Sequence, residues 1–261
     1  MNSSPNERST APTAPDRVRQ GVVAVLALAQ IGSSYVLGQS VGAVARENPS
    51  TILPAGYAFA IWGLIFAASL AYAVAALTPS LAAHPVARAT GWPVAVAFAA
   101  NTVWALVFPE RMFALSQVVI AIGVVAAAWT TIAAQRAADG NRLVATLFCG
   151  AFGLLAGWLT AATFVGFANT ISALGGGASQ ATGLVLLVLA AAVAAYVLHA
   201  GSGGPLPGSL AYGFAVVWGL VAITVEQWTP SRTTAVAALV LGALLVGVLA
   251  ATRLRGARRP A

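Results

Sequence analysis

A chain of 261 residues that is 59% hydrophobic and 7% charged, with a mean hydropathy of +0.87, cannot coat a water-soluble domain with charge. Its net charge of +7 and pI of about 10.8 rest on thirteen basic residues, all arginine, scattered through loops and tails. That scatter excludes a nucleic-acid face, which needs basic residues clustered with polar or aromatic groups on one soluble surface.

Residues 1–17 are rich in Ser, Pro and Thr and read as a disordered cytoplasmic tail. Charge-free apolar runs then predict eight helices, at about 20–42, 55–77, 90–108, 113–135, 146–170, 180–199, 209–226 and 233–252. Ala43-Val44-Ala45 fits a signal-peptidase site, but the first run, at about 22 residues, is too long for a signal core, so the span is expected to be retained. Between Arg142 and Glu226, 83 residues pass without Asp, Glu, Lys or Arg. One crossing needs only about 20 residues. Breaks at Gly175-Gly176-Gly177 and Gly201-Ser202-Gly203-Gly204-Pro205 divide the stretch into three spans. Period-two alternation is absent and the runs are rich in Ala, Leu and Val, which predicts an all-α, polytopic transmembrane helical bundle. Residues 254–261 form a basic tail, read chiefly as a stop signal after the last span.

The arginines orient the bundle. With the N-terminus inside, the inner segments hold Arg8, Arg17, Arg19, Arg88, Arg136, Arg142, Arg253, Arg255, Arg258 and Arg259, against Arg46, Arg111 and Arg232 outside. Both termini are therefore expected on the cytoplasmic side of the membrane. Gly38-x-x-x-Gly42 and Gly153-x-x-x-Gly157 offer flat surfaces for close helix contact. Tyr57–Leu64 and Tyr212–Leu220 share a Tyr-x-Phe…Trp-Gly-Leu pattern, but an offset of five spans cannot pair two halves of eight helices, and the likeness reads as coincidence.

No carboxylate lies clearly within a span. Glu7, Asp16, Glu47, Glu110 and Asp139 fall in tails or loops, while Glu226, His84 and His199 stand at helix ends. Acid–base, metal or Ser/His/Asp chemistry needs ionisable groups converging at depth, so no catalytic residue and no metal site are assigned, and the chain is not read as an enzyme. Cys149 stands alone, which rules out an intramolecular disulfide and a cysteine metal site.

Tryptophan and asparagine do lie at depth. Asn101, Trp104 and Phe108 share one face of the third helix, and Phe59, Trp62 and Phe66 repeat that spacing on the second. Trp158 and Asn169 are three turns apart on the fifth. At 1.5 Å per residue, Trp62 lies about 12 Å and Trp104 about 6 Å from the outer end, with Trp158 nearer the middle. The three indoles are thus placed to converge. An ordinary aromatic core explains the same spacing, a buried Asn often serves as interhelical glue, and Trp92, Trp228 and Tyr57 fit a membrane-interface belt.

At these residues the chain resembles the tryptophan-rich sensory protein family (TspO/translocator protein, peripheral benzodiazepine receptor), especially its longer bacterial relatives. The matching segments are Leu53-Pro54-Ala55-Gly56-Tyr57-Ala58-Phe59-Ala60-Ile61-Trp62-Gly63, Asn101-Thr102-Val103-Trp104 with Phe108, and Gly157-Trp158-Leu159-Thr160 with Asn169. One proline of the second-helix motif is missing, Trp158 and Asn169 are a turn further apart than the family spacing, and three helices follow. The resemblance implies a five-helix membrane unit over 18–172, to which 173–253 adds a three-helix extension. It also implies a cavity for a planar hydrophobic ligand, protoporphyrin or haem, lined by Phe59, Trp62, Asn101, Trp104, Phe108, Trp158 and Asn169, with no obligatory cofactor. Expected partners are the lipid bilayer and that ligand, with a homodimer left open and no nucleic acid. The expected role is sensing or transport. A small-solute transporter using the added helices, a porphyrin-degrading activity and a purely structural role stand as alternatives.

Overall fold

The computed structural model describes residues 11–177 and 179–257, as eight long helices joined by short turns. Helix α1 spans Ala14–Glu47, α2 Ile61–Ala76, α3 Pro85–Val107 and α4 Phe113–Ala137. Helix α5 spans Gly150–Ala173, α6 Gln180–Ala200, α7 Leu206–Gln227 and α8 Arg232–Ala257. Among the described residues seven helical stretches are long and apolar enough to cross a membrane; α1, at 34 residues, is about 50 Å long. The protein is a multi-pass membrane protein.

Local chemistry sets the ends. Helix α1 begins at Ala14, so residues 14–17, expected in a disordered tail, are helical. Thr13 caps the first turn, its backbone N–H and hydroxyl both donating to the Asp16 carboxylate. The rest of that tail, residues 1–10, lies outside the described residues. Helix α8 likewise runs on to Ala257, into the segment read as a tail, of which 258–261 are outside the described residues. Helix α3 starts at Pro85 because His84 Nδ1 accepts from Val86 N–H at 3.2 Å. A 3-10 turn, Gly56–Ala60, leads into α2, and a π-helical turn, Ala145–Cys149, leads into α5. Helix α5 stops where Gly175, at φ +80°, takes the left-handed conformation that favours glycine.

Eight antiparallel helices bring both described chain ends to one end of the bundle, here the terminal end. Arg17, Arg19, Arg88, Arg136, Arg142 and Arg253 stand there; Arg46, Arg111 and Arg232 stand at the opposite end. At the terminal end the buried Asp16 carboxylate meets Arg19 at 2.8 Å and Arg88 at 2.7 Å, and Arg19 also donates to Ala82 O at 3.0 Å. Gly91 on α3 admits the Arg19 side chain, which any Cβ there would strike. Nearby, the Asn141 N–H and His84 hold the Asp139 carboxyl below its ordinary range.

Helix α5 is the core. The membrane-crossing window of Arg142–Ala173 is 78% buried, against 28% for α4 and for α8, because α2, α4, α6 and α7 all pack on it. Its tightest neighbour is α7. A Cβ at Gly153 would strike the Gly208 carbonyl, and one at Gly157 the Tyr212 carbonyl, so the two backbones touch where glycine leaves room. Thr160 and Tyr212 add a hydroxyl contact at 3.0 Å. Helix α7 also fixes the stretch from Leu53 to Phe59. Ala55 N–H donates to Ala222 O at 3.0 Å, Trp218 Nε1 to Ala58 O at 2.9 Å and Gln227 Nε2 to Leu53 O at 3.0 Å. The boundary expected at 173 falls at the turn between α5 and α6, yet α7, beyond it, is the helix most closely applied to α5.

Replacing Gly157 by alanine is expected to destabilise the bundle by about 1–3 kcal/mol through overpacking against Tyr212. The same change at Gly63, which has nothing within 4 Å of its added Cβ, costs no stability and gains up to about 1 kcal/mol from helix propensity. Thermal melts in detergent read the difference, and equal melting temperatures would contradict the close contact.

Candidate functional site

The aromatic residues meet around α5. Trp158 lies edge-on to Trp62, with ring centroids 6.2 Å apart, and edge-on to Phe59 at 6.1 Å. Trp62 stacks on Phe66 at 5.3 Å, and Trp104 stacks on Phe108 at 4.9 Å. These geometries are the favourable offset and edge-to-face ones for aromatic pairs.

Two adjoining cavities open among the rings. The first, about 50 Å³, is lined by Phe59, Trp104, Phe108, Trp158 and Asn169, with Leu53 and Pro54 beside them and Gly219 and Ile223 from α7. The second, about 150 Å³, is lined by Trp62, Phe66, Asn101 and Ser34. Phe59, Trp104 and Val41 belong to both walls, so these side chains partition one aromatic space into two chambers. All seven residues singled out in the sequence therefore border that space, five on the first chamber and Trp62 and Asn101 on the second.

Their polar atoms fare differently. Asn101 is buried and its Nδ2 donates to Gln30 Oε1 on α1 at 3.1 Å, so part of its amide is spent holding two helices together. Trp158 Nε1 and Asn169 Oδ1, in residues 3% and 2% exposed, find no partner among the described residues. A buried polar atom left without a hydrogen bond costs about 1–3 kcal/mol and calls for an explanation, a ligand or an ordered water among them; Gln20 and Tyr72 carry such atoms away from the cavity.

Sequence reasoning missed the α7 wall. Trp218 donates to Ala58 and lies edge-on to Tyr57 at 5.4 Å, while Gly219 and Ile223 face the cavity. The signal available was the Trp-Gly pair in the Tyr212–Leu220 segment, whose likeness to Tyr57–Leu64 read as coincidence. The two segments are in contact through Trp218. Trp92 and Trp228 are half exposed on the bundle surface, Trp228 beneath the Arg232 guanidinium at 5.1 Å, as interface aromatics require.

Fold and site together define a polytopic helical membrane protein with an aromatic-walled space between its helices. The model of the TSPO-like protein family matches residues 20–251, a range reaching from α1 into α8 and so including the three C-terminal helices, and the chain belongs to that family. No curated protein and no solved structure matches it.

If the Asn101 amide serves α1, a double-mutant cycle of Gln30→Ala and Asn101→Ala shows a coupling of about 0.6 kcal/mol in reversible unfolding. Strict additivity would mean the pair contributes nothing to helix association.

Proposed function

We propose that this protein binds a planar hydrophobic ligand of the porphyrin or haem type in the aromatic space around Trp158, in a sensing or transport role. The observation that carries this reading is the joint presence of three indoles across two adjoining cavities and of unpartnered buried polar atoms on Trp158 and Asn169. Indole faces offer large rigid apolar area to a flat ring, and a few fixed polar groups orient it. Neither chamber reaches the ~300 Å³ of ordinary ligand sites, so a macrocycle enters only as Phe59 or Trp104 swings out of the shared wall. The same two small chambers favour the rival reading, a small-solute transporter that uses them in series. We further place the protein in a bacterial cytoplasmic membrane with both ends inside, on the excess of arginine at the terminal end. No step of the reading requires the protein to act as an enzyme.

Titration of purified protein in lipid nanodiscs with protoporphyrin IX, followed by tryptophan quenching against a lipid-only control, separates the readings. Saturable binding weakened about tenfold, or 1.4 kcal/mol, by Trp62→Leu or Trp158→Leu is expected. Quenching that never saturates, or that ignores both substitutions, would favour the transporter.

A further inference from the structure

Helix α7 carries three glycines in its interior, where glycine costs helix stability relative to alanine and so needs a reason. Two have packing reasons. Gly208 lies against Gln135 of α4 and the π-helical turn before α5, where an added Cβ would sit 2.7 Å from Gln135 Nε2 and 3.0 Å from Cys149 Cβ, and Gly213 faces Leu249 of α8 at 3.2 Å. Gly219 also packs on α5, but alone of the three it stands on the cavity wall as well. A Cβ there would lie 3.1 Å from Ala161 Cβ and 3.9 Å from Trp158 Cζ3, so anything larger than hydrogen grows toward the central indole. The neighbouring residues on α7 are fixed, Trp218 by its bond to Ala58 O and Ala222 by the bond its carbonyl accepts from Ala55. The wall at 219 therefore cannot retreat without releasing the Leu53–Phe59 stretch.

We infer that Gly219 sets the size of ligand the cavity accepts: its missing side chain is the space into which a broad flat ring extends over Trp158. This rests on the ligand-binding reading above and adds to it that α7 is part of the site. The C-terminal helices then belong to the binding unit, and their removal abolishes binding rather than sparing it.

The test compares protoporphyrin IX with acridine, a three-ring planar probe, on full-length protein in nanodiscs. Gly219→Val is expected to weaken protoporphyrin IX about tenfold and acridine less than about twofold. Gly219→Ala gives a smaller shift of the same sign, and Gly213→Ala, facing away, gives none. The inference is overturned if both probes weaken equally, or if neither moves while Trp158→Leu still weakens protoporphyrin IX. Should the wild type itself never saturate, the ligand-binding reading falls, and the inference with it.

Discussion

Helices α5 and α7 touch backbone to backbone at Gly153, Gly157 and Gly208, and the rest of the architecture follows from that contact. Lipid tails are as apolar as leucine, so helices in a membrane gain nothing by hiding apolar side chains from them. Close van der Waals approach and interhelical hydrogen bonds must hold the bundle, and glycine permits both. With α7 drawn onto α5, its far half reaches the segment before α2 and ties it down through Ala222, Trp218 and Gln227. That segment in turn carries Leu53, Pro54 and Phe59 into the cavity wall. Helix packing and cavity construction are one event.

Polar groups divide the molecule into scaffold and site. Where they are paired they serve structure: Asp16 between two arginines anchors α1 to α3, and Asn101 with Gln30 repeats that link deeper in the membrane. Where they are buried and unpaired on the cavity wall, as in Trp158 and Asn169, the fold carries their desolvation cost with no return of its own. Gln20 and Tyr72 carry the same cost away from the cavity, so it is the position of Trp158 and Asn169 on the wall that supports the proposed binding role. The contrast separates Asn101 from Asn169, two residues that look alike in sequence.

The spans were legible because charge is forbidden in hydrocarbon, and the arginines gather at the helix ends. The helix faces carrying Trp104, Phe108, Trp158 and Asn169 followed from the 3.6-residue period. Two things were not legible. Asn101 has a face but not a partner, since periodicity within α3 says nothing of Gln30 on α1. The α7 wall was hidden because α7, like α5, is apolar on every side, so no stripe points to its neighbour, and because Gly219 contributes by having no side chain. The start of α1 at Ala14 was missed for a smaller reason: the Thr13–Asp16 cap lies in a stretch whose composition reads as disordered.

The most direct test of this account is whether α7 lies against α5 at the level of Trp158. In a Cys149→Ser background, cysteines replacing Ala161 and Gly219 would bring Cβ atoms about 3.1 Å apart, a few tenths of an ångström short of the roughly 3.5–4.5 Å of a disulfide, a gap that a small shift of the helices supplies. A protease site built into the turn at Gly175–Gly177 then cuts the chain between α5 and α6. The account predicts that after oxidation in native membranes the two fragments migrate together and part only on reduction. Fragments that separate without reductant would contradict it, and would return α7 to the periphery.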